Sequence, residues 1–121
     1  MFETIEMKNP PTEISFHPDF KAHCKIGGKI FHGDCYITYC PTKDTLIEFE
    51  SFEDWLGKEM MRESITIEEA AYRIYCAMVA ALGDIPLQVT VSARTTVHAP
   101  VEAHYSNAKW RERCGNTRGV L

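Results

Sequence analysis

The chain has 121 residues, a formal net charge of −4, 45% apolar and 25% charged residues. That is ordinary globular composition at the length of one domain with one core. No apolar run approaches the roughly 20 residues of a membrane span, and a mildly acidic body is poorly suited to gripping nucleic-acid backbone as its main task.

In chain order, residues 1–12 are expected as a flexible arm; they are acidic and end in Pro10-Pro11. They carry neither the basic start nor the apolar core of a signal peptide. Glu13 to His17 alternates, with Ile14 and Phe16 on one side, and is expected as a strand. Pro18 to Gly28 is expected as a loop. Ile30 to Cys40 is rich in aromatic and β-branched residues and predicts a long strand. Pro41 to Asp44 reads as a turn and Thr45 to Glu50 as a short extended piece.

Ser51 is expected to open a helix with Phe52, Trp55, Leu56 and Met60 on its apolar face. Thr66-Ile67-Glu68-Glu69 fits a capping box, starting a second helix with the stripe Ala71, Ile74, Tyr75, Met78 and Leu82 and a stop at Gly83. Leu87 to Thr96 and Val97 to Tyr105 alternate as two half-buried strands, and residues 106–121 read as a basic, Trp-containing, solvated tail. The order ββααββ over residues 13–105 predicts an α+β module: a four-stranded antiparallel sheet with two helices on one face. Its two open edges favour assembly into a ring.

Five cysteines, with no Cys-x-x-Cys pair, fit reduced thiols in a cytoplasmic protein. Cys35, Cys40 and Cys76 are expected in the core and Cys114 at the surface. Cys24 stands in a loop between His23 and Lys25, basic neighbours that can favour a thiolate. It is either an inert loop thiol or a nucleophile. Glu69 holds the capping-box position, whereas Glu68 is not needed by the cap and is free to take two N–H groups of a guanine-like edge. His17, His23, His32 and Asp34 are either ordinary surface groups or nitrogen and carboxylate ligands for zinc.

Cys24, the strand ending Tyr39-Cys40-Pro41 and the two-helix pattern together resemble the tunnelling fold (T-fold). The similarity over residues 22–105 is nearest to the 7-cyano-7-deazaguanine reductases and their short relatives, the QueF-like archaeosine synthases. The resemblance implies that Cys24 is the nucleophile on a 7-cyano-7-deazaguanine nitrile, free or in tRNA or DNA. It implies a thioimide intermediate that ammonia or an amine converts to an amidine. It implies Glu68, with Glu69 and His23, at the base, and a homo-oligomer with sites between subunits.

The sequence departs from the pattern at Lys25, where the family has proline, and at Phe31, where it has an acid. Asp34 or His32 is the substitute proton donor expected here. Glu50 and Glu53 stand where the reductases carry phosphate-binding lysines, so NADPH is disfavoured and no cofactor is expected. Phe31-His32-Gly33-Asp34-Cys35-Tyr36 also resembles the zinc segment of 6-pyruvoyl- and 6-carboxy-tetrahydropterin synthases, although Asp34 replaces a histidine and Ala93 a glutamate. A purine- or pterin-binding module without catalysis is the third reading.

Overall fold

The computed structural model describes residues 1–94 and 99–118. Its spine is β4 (Ile30–Tyr39), whose alternating side chains bury Gly33, Cys35, Ile37 and Tyr39 on one face. On one side β4 pairs antiparallel with β6 (Leu87–Arg94), which pairs with β7 (Val101–Ser106). On the other it pairs with two short strands in succession, β2 (Ile14–Phe16) and β3 (Asp19–His23). These share one lane of the sheet, with Pro18 between them accepting the Cys35 N–H at 2.8 Å. The sheet therefore has the expected four lanes, the first split into two strands.

The structure corrects several boundaries. The segment 18–28, expected as a loop, contains β3: Phe20 and Ala22 bury on one face while Asp19 and Lys21 stay exposed on the other. Residues 1–12 are not a free arm throughout, because β1 (Thr4–Glu6) pairs antiparallel with β5 (Thr45–Ile47). Phe2 adds edge contacts to Phe52 and Trp55, with ring centroids 4.9 and 5.2 Å apart. Of the last two expected strands, residues 95–98 lie outside the described residues.

Helix α1 runs Phe49–Met61 and begins two residues before Ser51. Glu48 is the cap, its carboxylate accepting the N–H groups of Glu50 at 2.7 Å and Ser51 at 3.0 Å. Helix α2 (Ile67–Leu82) begins as expected, with Thr66 Oγ1 accepting the Glu69 N–H at 3.1 Å, and stops at Gly83, whose φ of 78° suits glycine. Residues 106–118 are not a loose tail, those after 118 lying outside the described residues: α3 (Ala108–Arg118) follows Asn107, whose Oδ1 accepts the Trp110 N–H at 2.9 Å and the Leu87 N–H at 3.2 Å.

Helices α1 and α2 cover one face of the sheet. Phe52, Leu56 and Met60 of α1, with Ala70, Ala71, Ile74 and Met78 of α2, pack on Ala22, Cys35, Ile37, Val89 and Val91 in one buried cluster. The Tyr39 hydroxyl accepts the Ile47 N–H at 3.1 Å, so even this buried phenol has a partner. The opposite face carries Ser15, His17, Lys21, His32, Tyr36 and Thr38, away from α1 and α2. Cys35 and Cys40 are buried as expected, but Cys76 is exposed on α2, outside its apolar stripe. Among the described residues no helix is long and apolar enough to cross a membrane.

Candidate active site around Cys24

Cys24 sits one residue past β3, at the margin of the helix-covered face. Its N–H donates to Lys29 O and its carbonyl accepts from Gly28 N, each at 2.8 Å, closing a tight turn whose Gly28 has φ 71°. A parallel bridge joins Cys24 to Ile65. Around it, the Lys25 N–H donates to Ile65 O at 3.1 Å and the Ile65 N–H to His23 O at 2.9 Å. The turn is thereby stitched to the residue that precedes the α2 cap.

Cys24 is half-buried, and the Gly27 N–H points at its sulfur, 3.5 Å away. That backbone donor, followed by the Ile26 N–H, lowers the thiol below its ordinary value of 9.0 against a small opposing effect of burial. The basic neighbours expected to do this do something else. Lys25 Nζ is 2.7 Å from Glu69 Oε1, and His23, opposite Ile30 in the register, belongs to the uncovered face. The signal for the amide cradle was the Gly27-Gly28 pair, which frees the backbone to turn its N–H groups inward.

The two glutamates at the start of α2 are separated by their partners. Glu69 does not complete a reciprocal capping box: its carboxylate binds Lys25 and lies 3.9 Å from Arg73 Nη2. Arg73 also bonds Glu63 and approaches Glu59 at 3.7 Å. Glu68 is exposed, and its carboxylate makes no hydrogen bond or ion pair among the described residues. One helical turn on, Tyr72 meets Tyr105 of β7 with ring planes tilted by 53° and centroids 5.4 Å apart, so this stripe of α2 faces the β7 edge.

His32 and Asp34 do not join Cys24. They pair opposite Lys21 and Asp19, on the uncovered face, because side chains alternate along β4. Phe31 is the neighbour on the cysteine's own face, opposite Ala22 and in contact with Phe20 at 6.2 Å. Among the described residues no three His, Cys, Asp or Glu side chains gather as a metal site, so His17, His23, His32 and Asp34 do not form the zinc set considered from the sequence. A groove of about 370 Å³ lies between Phe2, Trp55 and Lys58, away from the cysteine.

No family model matches the sequence, and no curated protein matches it. Among solved structures, the crystal structure of the archaeosine synthase QueF-Like in the apo form superposes with a TM-score of 0.73. The match covers 82% of this chain and 96% of that one at 18% sequence identity. The likeness is one of fold: the chain has the architecture of a single T-fold module, as the sequence resemblance implied.

Proposed function

We propose that the chain is a cysteine-dependent enzyme that converts the nitrile of a 7-cyano-7-deazaguanine base to an amidine. Two things support the reading: a fold shared with a QueF-like archaeosine synthase, and a thiol at the edge of the sheet whose ionised form is favoured by backbone amides. The observation that carries it is the half-exposed Cys24 sulfur held by the Gly27 N–H.

The chemistry needs no electron transfer. The Cys24 thiolate adds to the nitrile carbon while the nitrile nitrogen takes a proton from ammonium, giving a thioimide. The ammonia so released attacks the same carbon. The C–S bond then breaks, the sulfur leaves as thiolate and the product is an amidine. The net change is nitrile plus ammonium to the protonated amidine, with the thiolate restored. Asp34 and His32, on the other face of their own chain, are not assigned the proton transfer. Phe31, opposite Ala22, lies on the same face as the thiol and puts a hydrocarbon group where the family has an acid.

Glu68 is the base-reading carboxylate in this proposal, since Glu69 is occupied by Lys25. Cys24 stands on the outer lane formed by β2 and β3, whereas the Glu68–Tyr72 stripe faces the opposite edge at β7. Among the described residues no further strand of this sheet lies beyond either outer lane, so a ring of copies would bring the thiol of one to the carboxylate of the next. The carrier of the base is the free heterocycle or a nucleic acid.

Incubating the protein with 7-cyano-7-deazaguanine and measuring intact mass tests the reading. A shift equal to the mass of the nitrile, lost in Cys24→Ala and discharged by ammonium, is expected. An unmodified wild-type protein at saturating nitrile would overturn it. Retained base binding by both proteins without turnover would make the chain a binding module instead.

A further inference from the structure

The turn that presents Cys24 has little to hold it from outside. Ile26 at its tip is 91% exposed, and a side chain added at Gly27 would meet nothing within 4 Å. What secures the turn comes from α2 and the connection before it. The backbone bonds to Ile65 fix one side. The Lys25 side chain, reaching to Glu69 at 2.7 Å, fixes the other.

Glu69 is itself braced. Arg73, one helical turn on, lies 3.9 Å from its second oxygen and also bonds Glu63. Arg73 Nη1 is buried without a hydrogen-bond partner among the described residues and sits 3.7 Å from Glu59 Oε1. A guanidinium kept in that state is held among carboxylates from the end of α1 and the start of α2, and is not free to swing into solvent.

We propose that the Lys25–Glu69 pair, braced by Arg73, is a positioning device that holds the Cys24–Gly28 turn and keeps its Ile26 and Gly27 amides on the sulfur. Lys25 and Glu69 then act on the thiol through the backbone, not through their own charges. The consequence for catalysis rests on the reading of Cys24 as nucleophile; the consequence for the thiol does not. It also separates the two adjacent glutamates, Glu69 serving the turn and Glu68 the ligand.

The two modes of action differ in sign. If charge acted directly, Lys25→Met would disfavour the thiolate and Glu69→Gln would favour it. If the pair acts by holding the turn, both variants disfavour it, because each releases the amides. Lys29 across the turn and Glu59, Arg62, Glu63 and Arg73 beside it are the same in both variants, so they do not bias the comparison. The pair is largely solvent-exposed, with side-chain exposures of 54% and 35%, so neither variant is expected to unfold.

The experiment is the rate of iodoacetamide alkylation at Cys24 against pH, followed on the Cys24 peptide by mass spectrometry without any nitrile present. Both variants are expected to alkylate about fivefold more slowly at neutral pH, with the rate profile displaced to higher pH. Lys25→Arg, which can keep the pair, is expected to restore the wild-type profile. Shifts of opposite sign in the two variants would overturn the proposal, and so would unchanged profiles in both. Because alkylation needs no nitrile, failure here leaves the adduct experiment on wild-type protein to decide the proposed reaction separately.

Discussion

The two faces of the sheet are made by the same strands and have opposite chemistry. On β4, Phe31, Gly33, Cys35, Ile37 and Tyr39 turn to the helices, while His32, Asp34, Tyr36 and Thr38 turn away. The same group in the two environments behaves differently. Burial, then the negative charges of Asp34 and Asp19, pushes the Cys35 thiol up to about 12, whereas Cys24 at the open margin is lowered by amide donors. Neighbours in sequence are thus strangers in space: Phe31 belongs with Cys24 and His32 does not. A sulfur inside the core is inert, and one just beyond it is poised.

The largest effect expected is complete. Cys24→Ala should abolish the nitrile adduct while leaving the melting temperature within a few degrees of wild type, since the side chain is only half-buried. Next come paired stability measurements on the two faces by urea unfolding. Phe52→Ala empties a fully buried site and should cost about 3–5 kcal/mol. Tyr36→Ala, on the uncovered face and 46% exposed, should cost no more than about 1 kcal/mol. Equal losses would break the contrast between the faces.

Gly33→Ala should cost about 1–3 kcal/mol, because its new methyl group would strike the buried Phe20 ring. The pH dependence of stability follows from Cys35. Its pKa is raised on folding, so its contribution is fully present below the unfolded thiol value of 9.0 and is lost as pH rises from there toward about 12. The urea midpoint should fall across that window, and less steeply in Cys35→Ala. The smallest effect sharpens the contrast most: Asp34→Asn and His32→Gln should change the rate of adduct formation by no more than about twofold. A tenfold loss would place the proton donor on the uncovered face after all.

Where the chain's periodicity was long, the sequence was a sufficient guide. The aromatic and β-branched run from Ile30 to Cys40 marked β4, and Thr66 with the stripe after it marked α2. The first lane was harder because Pro18 breaks it and because Asp19, Lys21 and His23 mask the alternation of Phe20 and Ala22. Helix α3 has no apolar stripe; Asn107 starts it, and Arg113, bonded to Cys40 and 3.3 Å from Glu13, ties it down. Those are contacts across the fold that no local pattern announces. At the site, Cys24 was legible but its cause was not. Of the basic flank that singled it out, Lys25 is spent on an ion pair and His23 lies on the other face, while the donors on the sulfur are peptide amides, which carry no signature beyond two glycines. Glu69 was read as the capping-box carboxylate, with a place at the base only by resemblance, and it is Lys25, forty-four residues earlier in the chain, that claims it.

The start of α1 is a socket that the chain has plugged for itself. Two of the amides that open the helix are taken by Glu48, and Glu50 and Glu53 add negative field around them. The groove beside this helix end has mixed charge, with Lys58 and Arg62 facing Glu3, Asp54 and Glu59. The helix thus begins already saturated, its first donors turned inward onto its own chain and unavailable to a guest.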